Sequence, residues 1–200
     1  MMIKARESDR ATVIDILAGA FDDNQSVNYI VLQDVKRKKR IAQLMSYSFD
    51  VCMLYGEVFL TEDGTGCALV LFPDRKKTGL QTTGLDLKLI FRSIGIGNAI
   101  RAMKREAAIQ KRQPDAPLYY LWFIGVQPEA QGRGSGSRLL NELKQRAGEL
   151  ERVICLETST ARNIPWYKKQ GFRIYNELDL GYRLYFLKTE SFIGASPIVQ

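Results

Sequence analysis

The chain has 200 residues, of which 46% are hydrophobic and 26% charged, and its 29 Lys and Arg against 22 Asp and Glu give a net charge of +7. This composition fits one globular domain, residues 1–200, with neither a membrane span of roughly 20 apolar residues nor the apolar core of a signal peptide, so a cytoplasmic protein is expected. There is no His and there are only three well-separated Cys, which argues against a metal site or a disulfide framework and removes the commonest general base.

The first part of the chain predicts a strand, two helices and a hairpin. The predicted elements are a strand at 2–5, helices at about 8–21 and 35–54, and strands at 57–61 and 67–72. Ser8 and Asp9 are typical caps for the first helix. The polar run 22–26 predicts a loop, and the turn-forming run 62–66 predicts a hairpin.

Residues 80–116 predict a helical insert before the central strand. Gly95 and Gly97 are expected to divide it into two helices, because glycine is unfavourable inside a helix. Its predicted buried stripe consists of Leu87, Ile90, Phe91, Ile94, Ile100, Met103 and Ala107. A lid or a helix pair that covers the core fits this segment better than a helix lying on a membrane surface.

The last part of the chain alternates strands and helices. The predicted elements are a strand at 118–126, a helix with Leu139, Leu140, Leu143, Ala147 and Leu150 on its apolar face, a strand at 153–158, a short helix from Asn163 to Gln170, and paired strands at 172–175 and 182–187. Asn163 is the expected cap of the short helix, and Gly171 its C′ residue. A weakly structured tail is predicted at 191–200.

The glycine-rich turn between the strand at 118–126 and the next helix is the most informative stretch. Glycines at alternate positions let backbone N–H groups approach a ligand, and the free N–H groups of a helix N-terminus favour an anion such as a phosphate or pyrophosphate. The spacing matches neither a P-loop nor a dinucleotide fingerprint, and a plain strand-to-helix turn is an alternative. The candidate residues are Gln131, Gly132, Arg133, Gly134, Ser135, Gly136 and Ser137.

Two motifs resemble the GNAT superfamily of acyl-CoA N-acyltransferases. Gln131, Gly134 and Gly136 match its Gln/Arg-x-x-Gly-x-Gly/Ala signature, and a second segment has an Asn, an aromatic-Tyr pair and Gly-Phe at Asn163, Trp166-Tyr167 and Gly171-Phe172. Many members have a further Asn where this chain has Thr160. The resemblance implies an α/β fold with a mixed, mostly antiparallel sheet of six to seven strands flanked by helices, with acetyl-CoA as the acyl donor.

The resemblance also implies roles for individual residues. The turn amides would hold the pyrophosphate of coenzyme A, and backbone groups from Ile124 to Val126 would align the pantetheine arm and stabilise the oxyanion. Asn163 would contact the cofactor. Tyr167 would assist the departing thiolate, at least as a hydrogen-bond donor, although an aromatic packing anchor explains it as well.

The general base and the acceptor site are less defined. The strand at 118–126 has no carboxylate, which leaves Glu157, expected on the Cys155 face of its strand, either as the base or as a structural carboxylate. The family commonly builds its acceptor site after the first helix, and the candidate residues there are Asp22, Asp23, Asn24 and Tyr29.

These observations predict an N-acetyltransferase in which a primary amine, preferably of a small molecule, attacks acetyl-CoA directly in a ternary complex. A protein N-acetyltransferase and a CoA-binding regulatory or sensor protein without catalysis are the alternatives. Basic runs such as 36–40 are read as solvated faces, so neither a nucleic-acid nor a membrane partner is expected. A homodimer is left open.

Overall fold

The computed structural model describes residues 1–76 and 80–190, and only the backbone at positions 80–83, 88, 91 and 96. The strands are β1 Met2–Lys4, β2 Gly56–Thr61, β3 Gly66–Leu71, β4 Leu118–Val126, β5 Val153–Thr158, β6 Phe172–Asp179 and β7 Arg183–Thr189. The α-helices are α1 Arg10–Ala20, α2 Gln25–Ile30, α3 Arg37–Tyr55, α4 Leu80–Leu89, α5 Ile96–Gln110, α6 Ser135–Glu149 and α7 Ile164–Lys169. None of the helices in this described part is both long and apolar enough to cross a membrane.

The strands form one mixed sheet in the order β1-β2-β3-β4-β5-β7-β6. Every neighbouring pair is antiparallel except β4 and β5, which run parallel. This parallel pairing covers only Leu118 to Tyr120 of β4, opposite Val153 to Cys155 of β5. Beyond those residues the two strands separate, so the sheet is split at its centre. The expected sheet of six to seven strands flanked by helices is confirmed.

Helices cover both faces of the sheet. One core contains residues of α1 and α3 together with Tyr120 and Cys155, and the other contains residues of α6 and α7 together with Ile154 and Leu156. Alternate side chains of a strand point to opposite faces, so β5 contributes to both cores. The predicted apolar face of α6 is confirmed at its four buried positions, Leu139, Leu140, Leu143 and Ala147.

The insert forms two helices, as predicted, joined by a π-helical segment Ile90–Ile94 and by Gly95, which has a φ of +78°. Gly97, the other predicted break, lies inside α5. Its predicted buried stripe is wrong in α5, where Ile100 and Met103 are 66% and 69% exposed. The helix instead buries Ile109, which packs in one cluster with Leu184 and Phe186 of β7. The predicted apolar stripe of α5 therefore lies on the solvent side of the helix. In the rest of the stripe Ile94 is buried, Leu87 and Ala107 are exposed, Ile90 is half-buried, and the side chain of Phe91 lies outside the described residues.

Other differences concern segment ends and one additional helix. The predicted loop 22–26 runs into α2, because the Asn24 side chain accepts a hydrogen bond from the Val27 N–H at 3.1 Å and caps the helix. The terminal hairpin is longer than predicted, since β6 continues to Asp179 and β7 to Thr189. The predicted tail 191–200 lies outside the described residues.

Candidate active site

The glycine-rich turn presents a row of free backbone N–H groups. Gly132 and Gly134 have φ values of +78° and +84°, a backbone conformation that strains most other residues. The first N–H of α6 with a backbone partner belongs to Arg138, which donates to the Gly134 carbonyl at 3.0 Å. Within the described chain, the N–H groups from Gly132 to Ser137 have no hydrogen-bond partner, and no side chain caps the helix. These groups and the helix dipole form an anion cradle, as expected from the sequence.

The two sequence motifs meet in the folded chain. The Trp166 indole Nε1 donates a hydrogen bond to the Ser137 hydroxyl at 2.8 Å, which ties α7 to the first turn of α6. A Cβ on Gly136 would lie 3.6 Å from Val126 and 3.8 Å from Trp166, so little room is left between the end of β4, α6 and α7. The cradle is therefore adjacent to both β4 and the helix that carries Tyr167.

The remaining turn residues have different environments. Gln131 is exposed, and its side-chain N–H₂ donates to the Val126 carbonyl at 3.1 Å, which anchors the turn to the end of β4. Ser135 is buried and accepts a hydrogen bond from Arg138 at 3.3 Å. Arg133 is exposed. Gln131 thus holds the shape of the turn, while Arg133 and Arg138 add positive charge around it.

The split between β4 and β5 leads away from the cradle. Residues Leu121 to Val126 pair with β3 on one side, whereas no described strand pairs with them on the side of β5. The register with β3 shifts between Leu69 and Val70, because β4 has an extra, unpaired residue there, Trp122. Ile124 and Val126 are half-buried and line this open side. The split is not predicted from the sequence, because strand patterning shows which face is buried and not where two strands separate.

Tyr167 lies on the α6 side of the sheet. It is 6% exposed and packs against Trp166 and Phe172, with ring centroids 4.6 and 5.7 Å apart. Burial raises the pKa of its hydroxyl, which disfavours the phenolate. No described group forms a hydrogen bond with this hydroxyl. The side chain is an aromatic anchor whose proton remains available as a hydrogen-bond donor.

Asn163 precedes α7 but does not cap it. Its own backbone is helical, with φ and ψ of −85° and −14°, because it ends the 3₁₀ turn Ala161–Asn163. A capping side chain needs an extended backbone, so the predicted cap is wrong. Gly171, with a φ of +84°, ends the segment as predicted. The exposed Asn163 side chain is free of a capping role.

Glu157 lies on the opposite face of β5 from the Tyr167 core, as its alternation with Cys155 predicts. The Tyr120 hydroxyl donates a hydrogen bond to its Oε2, while its Oε1 is buried without a partner in the described chain. Burial raises the pKa of Glu157 to about 7, and the Tyr120 hydrogen bond and the positive charge of Arg105 limit the rise. Glu157 is therefore a carboxylate able to exchange a proton near neutral pH.

The four candidate acceptor-site residues after α1 have different environments. The Asp22 carboxylate forms an ion pair with Arg37 at 2.8 Å, and Asp23 is exposed. Asn24 caps α2 and also accepts a hydrogen bond from the Ser159 hydroxyl just beyond β5, at 3.4 Å. Tyr29 packs against Tyr182, with ring centroids 5.2 Å apart. Asn24 and Tyr29 thus connect α2 with the Glu157 end of β5 and with the β6–β7 turn, whereas Asp22 is occupied by Arg37.

Sequence reasoning missed the polar residues that surround Glu157. These are Ser26, Arg105, Tyr120, Ser159 and Tyr182. They come from five separate segments, and the only usable signal was the position of Tyr120 on the carboxylate-facing side of β4. No group of three or more His, Cys, Asp or Glu side chains in the described ranges is arranged to hold a metal ion.

Comparison with known proteins agrees with this geometry. Residues 100–174 match the family model of the acetyltransferase (GNAT) domain. This match spans both sequence motifs, and the seven-stranded mixed sheet agrees with the fold of GNAT acetyltransferases; together they indicate an acetyl-CoA-dependent acyltransferase.

Solved structures with similar folds come from different organisms. A Corynebacterium glutamicum protein named "histone acetyltransferase HPA2 and related acetyltransferase" has a TM-score of 0.69 and 20% identity, over 100% of this chain and 98% of its own. Arylalkylamine N-acetyltransferase 2 from Aedes aegypti has a TM-score of 0.61 and 14% identity, over 94% and 97%. The ribosomal-protein-S18-alanine N-acetyltransferase from Escherichia coli has a TM-score of 0.53 and 13% identity, over 100% and 99%. At these identities the likeness concerns the fold.

Proposed function

We propose that this chain acts as one catalytic domain that transfers the acetyl group of acetyl-CoA to the primary amine of a small molecule, by direct attack in a ternary complex. The observation that carries the proposal is the arrangement around the β4–β5 split. The free N–H cradle and Tyr167 lie on the α6 side of the sheet, and Glu157 lies on the other side. A donor and an acceptor can therefore reach the split from opposite faces.

The donor binds along the cradle and the open side of β4. The N–H groups from Gly132 to Ser137 bind the pyrophosphate, with Arg133 beside it, and the Gln131 side chain keeps the turn attached to Val126. The unpaired backbone groups of β4 bind the pantetheine arm as a neighbouring strand would. Asn163, exposed next to α7, adds a side-chain contact. In the tetrahedral intermediate, a backbone N–H between Ile124 and Val126 stabilises the oxyanion.

The leaving thiolate receives a hydrogen bond from Tyr167. The amine nitrogen attacks the thioester carbonyl carbon, the tetrahedral intermediate collapses, and the carbon–sulfur bond breaks with its electron pair on sulfur. A thiol has a pKa of about 8.5 and an ordinary phenol one of about 10, so full proton transfer from tyrosine is uphill by about 2 kcal/mol. Burial raises the pKa of Tyr167 and increases this cost. Tyr167 therefore acts as a hydrogen-bond donor rather than a general acid.

Glu157 accepts the proton that the amine must lose. A lysine-like ammonium with a pKa of about 10.4 is roughly three units above Glu157, whose pKa is about 7, so the transfer costs about 4 to 5 kcal/mol before the site adjusts it. Entry of the ammonium into the partly buried site lowers its pKa and reduces the difference. The buried and unpartnered Oε1 is the atom available for this proton, since Oε2 is bonded to Tyr120.

An acceptor panel tests the proposal. Free CoA thiol is followed with acetyl-CoA and either small primary amines or peptides with free N-termini and lysines, and acetylated products are identified by mass spectrometry. We expect thiol release with at least one small amine, at a higher kcat/KM than with any peptide. Faster turnover of peptides would make the chain a protein N-acetyltransferase. Tight acetyl-CoA binding without release for any acceptor would support a CoA-binding regulatory protein instead.

A further inference from the structure

Arg105 is a partly buried cation whose hydrogen-bond partners in the described chain are two neutral hydroxyls. It comes from α5, the second helix of the insert, and its Nε donates to the Tyr182 hydroxyl at 3.1 Å while its Nη2 donates to the Ser26 hydroxyl. Among residues 1–76 and 80–190, no carboxylate lies within ion-pair distance of its guanidinium. A guanidinium has five N–H donors, so Arg105 keeps donors that these two neutral hydroxyls do not use.

A short chain of contacts places Arg105 beside Glu157. The Ser26 hydroxyl accepts from Arg105, and the Ser26 backbone N–H donates to the Ser159 hydroxyl at 3.3 Å. Ser159 follows Glu157 by two residues, directly after the end of β5, and the Arg105 charge acts on the Glu157 carboxylate. The guanidinium and the carboxylate therefore belong to one polar region, in which the Arg105 charge lowers the pKa of Glu157.

Within the part of the chain that the structure describes, two buried polar atoms of this region have no hydrogen-bond partner. They are Glu157 Oε1 and the Tyr175 hydroxyl, and their residues are close enough for the Glu157 charge to act on Tyr175. Buried polar groups are nearly always hydrogen-bonded, so orphaned atoms next to an unpaired cation indicate a place where a ligand completes the bonding. The ligand must satisfy a carboxylate and a guanidinium at the same time.

We propose that the acceptor is an amino carboxylate, whose amine faces Glu157 and whose carboxylate binds Arg105. This inference rests on the proposed acetyl transfer and names the substrate class of the same site. Arginine binds carboxylates through two parallel hydrogen bonds, which fixes the position of the carboxylate and therefore that of the amine. A plain amine would leave the free donors of Arg105 without a partner once water is displaced.

Matched acceptors test the inference in the wild-type protein. Thiol release is compared for phenylalanine and 2-phenylethylamine, and for leucine and 3-methylbutylamine, so each pair differs only in the carboxylate. We expect a 10- to 100-fold higher kcat/KM for the amino acid of a pair that is turned over, the size of one hydrogen-bonded charge contact. Equal or faster turnover of the decarboxylated amines would overturn the inference and leave acetyl transfer intact. Absence of release for every acceptor would instead contradict the proposed function.

Arg105→Gln shows whether this arginine is responsible. We expect it to abolish the preference within a pair by raising KM for the amino acid, with acetyl-CoA affinity unchanged in calorimetry. Loss of the Arg105 charge also raises the pKa of Glu157 and slows both acceptors of a pair, so the ratio within the pair is the readout. Lys104→Gln changes an exposed cation of the same helix and should keep the wild-type preference. If kcat/KM fell by the same factor for both members of each pair, so that the preference remained, Arg105 would only hold α5 against α2. If Arg105→Gln does not fold, Arg105→Lys is used, which retains the charge but not the paired geometry. A lower kcat/KM for the amino acid, with that for the amine unchanged, then supports the inference.

Discussion

The indole N–H of Trp166 and the hydroxyl of Ser137 form a 2.8 Å hydrogen bond that joins two helices of the donor site. It couples the helix that carries Tyr167 to the first turn of α6, where the backbone N–H groups are free. The orientation of the cradle and the position of the phenol therefore depend on each other.

Trp166→Phe should weaken acetyl-CoA binding by roughly 2- to 10-fold, since it removes one net hydrogen bond while keeping an aromatic ring against Tyr167. Ser137→Ala should have a similar effect, measured by calorimetry. Because both variants remove the same contact, the double variant should be no weaker than either single one. Fully additive losses would show that the bond does not support the cradle.

Gly134→Val should abolish measurable binding of acetyl-CoA. Gly134 has a φ of +84°, which a β-branched residue adopts only at a cost of about 1 to 2 kcal/mol, and relaxation of the turn would redirect the cradle N–H groups. Gly64→Val is the matched control, because Gly64 has a φ of +66° in the β2–β3 hairpin with open space around its Cα. The control should lose similar thermal stability and retain acetyl-CoA affinity. Retained affinity in Gly134→Val would contradict the cradle.

Tyr167→Phe should lower kcat by roughly 10- to 100-fold with near-normal acetyl-CoA affinity, because it removes a hydrogen bond to sulfur that forms as charge develops. The aromatic packing with Trp166 and Phe172 remains, so thermal stability should change little. Steady-state kinetics and calorimetry on the same preparation separate the two effects. An unchanged kcat would exclude this role, and a parallel loss of affinity would assign Tyr167 to packing.

The pH dependence of kcat/KM should reflect the ionisation of the Glu157 carboxyl group. With a pKa of about 7, the base is protonated and inactive at lower pH, so the rate should rise through neutrality. Tyr120→Phe removes a hydrogen bond that lowers the pKa of Glu157, so this rise should move to higher pH. Tyr119→Phe is the control, because its hydroxyl bonds Glu57 on the other face of β4 and should leave the profile in place. Identical profiles for all three proteins would remove Glu157 as the base.

The stability of Glu157→Gln should depend less on pH than that of the wild type. The folded pKa of Glu157, about 7, lies above its ordinary value of 4.5, so this group favours the folded state most below pH 4.5 and loses that contribution as the pH rises through 7. The free energy of unfolding falls by about 3 kcal/mol, at about 1.36 kcal/mol per pKa unit. Urea unfolding at pH 5 and pH 8 measures it. A variant with the same pH dependence as the wild type would show that Glu157 is not perturbed by burial.

The sequence predicted those parts of the molecule that local chemistry determines. The bounds of β4, the placing of Glu157 on the Cys155 face of β5 and the free N–H groups of the glycine-rich turn follow from side-chain period and from the geometry of a helix N-terminus. Tertiary contacts determine the rest. Which side of α5 is buried depends on its packing through Ile109 onto β7, and the site around Glu157 depends on Arg105 and Ser26, which are distant in sequence.

Acetyl transfer itself provides the most direct test of the proposed function. Acetyl-CoA, the wild-type protein and a panel of primary amines, including amino carboxylates, are incubated together, and released CoA thiol is measured against acetylated amine. We expect one thiol released for each acetylated amine, at a rate that falls in Tyr167→Phe and is lost in Gly134→Val. Saturable binding of acetyl-CoA by the wild type, without thiol release in the presence of any amine, would contradict it.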